Sequence, residues 1–115
     1  MAITSEIIGK LGSRVEVIPV SATNSGGRGD TILHTVYVPD GESWLIAVIG
    51  DMSPASTSSG GAPDLMVGDN KTNRYNTQNR MTVAGIHDGT VEVKMVKNIA
   101  SGTDSFTGHV YTVKL

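Results

Sequence analysis

Along most of this chain hydrophobic and polar positions alternate with period two, and the exception is its start. From Met1 to Gly12 the apolar residues Ile3, Ile7, Ile8 and Leu11 fall at helical spacing, with Thr4 or Ser5 placed as N-cap and Gly12 as a stop. Some two turns of helix are too short to be stable alone. This apolar stripe therefore has to be buried, either on its own domain or on another subunit.

From residue 13 onward the pattern is that of strands. Val15, Val17 and the run Ile18-Pro19-Val20 predict a first strand, with Pro19 marking its end or an edge position. Ser21 to Asp30 reads as a loop, and Thr31 to Val38 as a second strand. Pro39-Asp40-Gly41-Glu42 predicts a tight turn with Pro in its second position, joining that strand to Trp44 to Gly50 in a hairpin. Trp44-Leu45-Ile46-Ala47-Val48-Ile49 is apolar at every position, the pattern of a central strand covered on both faces.

Ser53 to Pro63 is rich in Ser, Gly, Pro and Thr and predicts an exposed mobile loop. Asp64 to Gly68 and Arg80 to Ala84 read as short strands around a polar, Asn-rich loop, Asp69 to Asn79. In Thr90 to Val96 the residues Val91, Val93 and Met95 alternate with Glu92 and Lys94, as in a half-buried antiparallel strand. Ser101 to Asp104 is its turn, and Ser105 to Leu115 supplies the last strand. Seven or so short strands joined by Gly, Asn, Asp, Ser and Pro clusters predict an all-β fold, a single antiparallel β-sandwich or jelly roll over residues 13–115, preceded by the arm 1–12.

Composition narrows the function classes. A chain of 115 residues has room for one core. Its net charge of −2, scattered in sign, gives no footprint for nucleic acid. The absence of cysteine excludes a disulfide framework and thiolate metal sites. The N-terminus lacks a basic region followed by an apolar run, and no stretch approaches the ~18 apolar residues of a membrane span. The sequence thus predicts a soluble protein made in the cytosol, with neither nucleic acid nor membrane as a partner.

The residues that carry chemistry elsewhere are not arranged for it. His34, His87 and His109 lie on separate segments without the i, i+2 or i, i+4 spacing of metal ligands, although His34 and His109 are free to meet across strands. Asp64, Asp69 and Asp88 do not follow the spacing of a calcium loop and read as solvated turn residues. There is no Gly-x-Ser-x-Gly elbow, and Gly26-Gly27-Arg28-Gly29-Asp30 lacks the Lys-Ser or Lys-Thr of a phosphate cradle. Arg28-Gly29-Asp30 is the tripeptide of integrin-binding loops, and in a Gly-rich turn it reads as flexible loop. The single tryptophan, Trp44, opens the most apolar strand and is assigned to the core. No enzyme activity and no cofactor is expected.

The apolar arm, the segment Val38-Pro39-Asp40-Gly41-Glu42-Ser43-Trp44, the Gly/Ser-rich loops and the closing Phe106-Thr107-Gly108-His109-Val110-Tyr111-Thr112-Val113 strand together resemble small virion proteins of tailed bacteriophages, most of all the capsid decoration or cement proteins. That resemblance implies a non-enzymatic structural protein on the outer capsid surface, a dimer or trimer, with the major capsid protein or other virion proteins as partners. Ile3, Ile7, Ile8 and Leu11 are the expected contact. The alternatives are a tail, collar or fibre component, or a carbohydrate-binding sandwich using Trp44, Tyr37 or Tyr75.

Overall fold

A computed structural model describes residues 15–58, 60–72 and 80–115. The described chain is all-β, with eight strands: β1 (Val15–Asn24), β2 (Gly29–Tyr37), β3 (Trp44–Ser53), β4 (Asp64–Val67), β5 (Asn70–Lys71), β6 (Arg80–His87), β7 (Thr90–Lys97) and β8 (Asp104–Lys114). They form two four-stranded antiparallel sheets, sheet A in the order β1-β8-β3-β6 and sheet B in the order β2-β7-β4-β5. The arm residues Ile3, Ile7, Ile8 and Leu11 lie outside the described residues, as does Tyr75.

The core lies between the sheets and is built from the alternate residues that period two places inside. Sheet A contributes Ile46, Val48, Met52, Phe106, Val110, Met81 and Val83; sheet B contributes Val36, Leu65, Val67, Val91, Val93 and Met95. One inner row of sheet A holds Val20, Gly108, Gly50 and Met81, and its two glycines are required by a close approach. A Cβ on Gly50 would stand 2.6 Å from the Phe106 ring, and one on Gly108 would stand 2.9 Å from it. The Cζ end of the Phe106 ring thus sits close to backbone that no side chain shields.

The pairings nest: β4 with β5, β3 with β6, β2 with β7 and β1 with β8. Apart from β4 to β5, each chain connection passes from one sheet to the other. This overturns the predicted hairpin of Thr31–Val38 with Trp44–Gly50, because β2 pairs with β7 while β3 pairs with β6 and β8. The turn between them is real, but Glu42 N donates to Pro39 O at 3.1 Å, so Pro39 is its first residue and Gly41, at φ +81°, is its third. A turn fixes a reversal of direction, and backbone pairing is then decided by where each strand buries its faces.

Other boundaries shift as well. Ser21 to Asn24 continues β1 instead of entering a loop, since Ala22 packs against the core and this stretch pairs with β8 as far as Asp104. Asn70 and Lys71, read as loop, form the short strand β5. Pro19 sits within β1 at the edge of sheet A, where its missing N–H costs no ladder bond to a second neighbour. The segment from Ser53 to Pro63 is not an exposed loop throughout: Ala62 is buried, Asn98 Nδ2 donates to its carbonyl at 2.7 Å, and Ala55 N donates to Asp104 Oδ1 at 2.7 Å.

Candidate docking face and cleft

The outward positions of sheet A form cross-strand rows that run from apolar to polar. In the first, Val15, Val113, Leu45 and Ile86 stand side by side across all four strands. Val17, Tyr111, Ala47 and Ala84 make the second, and Pro19, His109, Ile49 and Thr82 the third. Only in the fourth row, Ser21, Thr107, Asp51 and Arg80, do charges appear, as an exposed Asp51–Arg80 pair at 3.6 Å. Val17 is 51% exposed and Ile86 64% exposed. A shallow hollow of about 210 Å³ opens in this face, bordered by Ile49, Arg80, His109 and Tyr111.

Period two explains how such a face arises. Each strand of a sandwich sends one set of side chains inward, and a sheet facing water carries polar residues on the other set. In β3 both sets are apolar from Trp44 to Ile49; in β1 and the C-terminal half of β8 the outer set holds no charged residue over the same rows, while Glu16 and Thr112 interrupt the inner one. The every-position apolar run Trp44–Ile49 predicts cover on both faces; the core covers Ile46 and Val48, while Leu45, Ala47 and Ile49 are half-buried and meet no second layer among the described residues.

A second feature is a cleft of about 380 Å³ between the edges β1 and β2, lined among others by Glu16, Ile18, His34, Tyr37, Trp44 and Thr112. Trp44, assigned to the core by sequence, is half-buried instead, and it packs against the core on one side while lining this cleft on the other. Its Nε1 donates to Glu42 Oε1 at 3.1 Å, and Lys114 Nζ stands 5.3 Å from its ring centroid. Tyr37, on the adjacent wall, is one of the most exposed aromatic rings of the described chain.

At the far end of the sandwich lies a buried polar cluster that sequence reading missed. Lys97, 1% exposed, donates to the carbonyls of Ile99 at 2.7 Å and Ser101 at 3.0 Å. Asp64 accepts from Asn98 Nδ2 at 3.1 Å, and Asp104 accepts from Ala55 N. Asp64 is therefore not the solvated turn residue its neighbours suggest, and this cluster ties the turn after β7 and the loop before β4 to the strands. Its hydrogen bonds go to backbone and to Asn98, which gives it a structural role, and Asp104 Oδ2 is buried without a hydrogen-bond partner among the described residues. The signal for it was weak: a polar residue at the end of an alternating strand looks the same in sequence whether it is solvated or buried.

The histidines do not meet. His34 lies in the cleft on sheet B, His109 on the outer face of sheet A 6.3 Å from the Tyr111 ring, and His87 against Gly68 and Gly85 near β5. Among the described residues no group of three or more His, Asp or Glu side chains is placed to hold a metal ion. Arg28-Gly29-Asp30 is not a free loop tip either: Gly29 and Asp30 begin β2, and Asp30 accepts from Lys94 Nζ at 2.8 Å. That bond, with the charges of Asp30 and Glu92 adding to it and burial opposing it, raises the Lys94 pKa above the ordinary lysine value. No helix among the described residues is long and apolar enough to cross a membrane. Comparison with family models, with curated proteins and with solved structures finds no match to this chain.

Proposed function

We propose that this protein is a non-enzymatic structural component of a tailed-phage particle, a decoration or cement protein that binds the outer capsid surface and stabilises the shell. The observation that carries this reading is the outer face of sheet A, where three successive rows across four strands hold no Asp, Glu, Lys or Arg. Contiguous exposed apolar surface marks a contact site, and a flat sheet face suits another polypeptide better than a small molecule, which takes a concave pocket. The nested pairing of strands supports reading the sandwich as a jelly roll, an architecture that recurs in viral capsid and lectin domains. This second support is an analogy of fold alone. Self-association into a dimer or trimer and contact with the major capsid protein belong to the same proposal, with repetition over the lattice adding avidity. Sedimentation of purified protein with expanded, undecorated capsids tests it: saturable binding in a fixed ratio to capsid subunits is expected, and protein left wholly in the supernatant rejects the reading.

The cleft favours one other reading, a carbohydrate-binding module. Tyr37 and Trp44 share its walls with Glu16 and His34, which places aromatic faces beside polar groups able to meet hydroxyls. Trp44 reports on this directly. A shift of its fluorescence on adding oligosaccharides of the host cell surface supports a sugar site, and a spectrum unmoved by any of them rejects it.

A further inference from the structure

We propose that two copies of this chain join edge to edge through antiparallel pairing of β2 with β2, so that the dimer carries both outer faces of sheet A on one side. The inference deepens the reading of the protein as a capsid-binding component, and rests on it for the use of those faces.

The two edges of sheet B are unequal. β5, at one end, is two residues long, while β2, at the other, runs for nine and has no neighbour beyond it among the described residues. A long edge strand offers a row of unpaired N–H and C=O groups to another chain unless something blunts it. β1, the edge of sheet A on the other side of the cleft, is blunted by Pro19, which brings no N–H to a further strand. β2 carries no such guard: from Thr31 to Tyr37 there is no Pro, Gly, Asp, Glu, Lys or Arg, and most of these residues are types that favour strands. The one charge in β2, Asp30, is already held by Lys94 Nζ on β7 at 2.8 Å.

Symmetry selects a second copy as the occupant, and the faces of the strand select the register. Thr35 and Tyr37 lie on the outer face of sheet B, His34 and Val36 on the inner face, and Leu33 is the extra residue of a bulge. Residues directly opposite each other in an antiparallel pair share a face. With Thr35 on a two-fold axis and opposite itself, Val36 stands opposite His34 of the second copy and Tyr37 falls beside its bulge. Inner residues then meet inner ones and outer meet outer. The two Asp30 carboxylates lie at opposite ends of the ladder and do not meet, and Tyr37, 72% exposed in the single copy, gains a cross-strand neighbour. The pair uses up both long edges of sheet B, and the short β5 offers no site for continued growth, so the assembly closes at two.

The same axis gives the dimer its use. A two-fold axis perpendicular to a sheet reverses strand direction without turning the sheet over. Sheet B continues from one copy into the next, and the two apolar faces of sheet A look the same way. A single copy docks with one face and the dimer with two, which tightens the hold on a regular shell by avidity and needs no new kind of contact. A dimer through sheet A itself would hide the faces that dock.

Thr35, on the axis, makes the test specific. The full chain at micromolar concentration is expected to sediment as a dimer. Thr35→Lys and Thr35→Glu each set like charges directly opposite one another; each alone is expected to sediment as a monomer with unchanged circular dichroism, and an equal mixture of the two is expected to recover dimers. Thr35→Cys, in a chain without cysteine, is expected to form a disulfide-linked dimer at least about tenfold faster than Glu92→Cys on the neighbouring strand, whose two copies lie too far apart to bridge. A monomeric wild type, single charge variants that stay dimeric, or a mixture that stays monomeric overturns the pairing. Thr35→Lys alone is further expected to bind capsids at least about tenfold less tightly than wild type, with the mixture restoring the affinity. A monomeric variant that binds as tightly as wild type refutes the two-faced contact. If dimers form through Thr35 while no form of the protein binds capsids, the decoration reading fails and the pairing stands; if the wild type binds capsids as a monomer, the pairing fails and the decoration reading stands.

Discussion

Along the outer face of sheet A the rows read Val15-Val113-Leu45-Ile86 and Val17-Tyr111-Ala47-Ala84. Along the outer face of sheet B the corresponding positions read Thr35-Glu92, then Ile32-Lys94-Met66-Lys71, with the Asp30–Lys94 pair beside them. Both sheets are four-stranded and antiparallel, and both fill one core from their inner faces. Water is a sufficient partner for the outside of sheet B, whose charges are scattered among single apolar residues. Sheet A has the surface of an inner face on its outside, and strand geometry alone does not require that. The difference is why the proposed contact is placed on sheet A, because exposed apolar area is favourable only where something removes it from water.

Three experiments break or sharpen this comparison. The largest effect is expected where the sheets are alike. Ile46→Ala in sheet A and Leu65→Ala in sheet B each empty a fully buried position and are expected to cost about 2–5 kcal/mol in urea unfolding. If one were nearly neutral, the two inner faces would not share a core.

An intermediate effect separates the outer faces. Ile86→Lys on sheet A and Ile32→Lys on sheet B alter residues of similar exposure, 64% and 54%, and each is expected to change stability by no more than about 0.5 kcal/mol. Capsid binding is expected to fall at least about tenfold, or ~1.4 kcal/mol, for the first alone. Equal losses, or loss for Ile32→Lys only, would move the contact off sheet A.

The smallest effect belongs to the charged dressing of sheet B. A double-mutant cycle over Asp30→Asn and Lys94→Met is expected to give about 0.3–1 kcal/mol, shrinking with salt. Because the partner raises the folded pKa of Lys94, this stabilisation is whole below the unfolded lysine value, ~10.4, and is lost as pH rises through the higher folded value. Coupling that persisted at pH well above that range would show that the pair contributes through packing and not through charge.

Particular residues show what was legible beforehand. Val91, Val93 and Met95 alternate with Glu92 and Lys94 and do point into the core, since hydrophobic alternation is a local property that any pairing of the strand preserves. Trp44–Ile49 announced apolar surroundings on both sides, and β3 is central in sheet A, although its outer side is uncovered among the described residues. Asp64 and Asp104 gave no such warning. They sit among Gly, Pro and Ser, as solvated acids do, and only the return of β7 and the loop before β4 to the same end buries them. The cleft was half legible: both Tyr37 and Trp44 were candidates, but nothing in their seven-residue separation said that they line one cleft between the two sheets.

By itself, the order of residues determined that this chain is built of strands, which side of each strand is buried, and where the chain turns, because these follow from period-two alternation and from the backbone preferences of Gly, Pro, Asn and Asp. Which strand lies beside which was decided only in three dimensions. Neighbours in a sheet are joined by backbone hydrogen bonds that carry no residue code, and β1 meets β8 across the whole length of the domain. The apolar rows on the outside of sheet A exist through that pairing alone: Val15, Leu45, Ile86 and Val113 are four unremarkable residues until register sets them side by side.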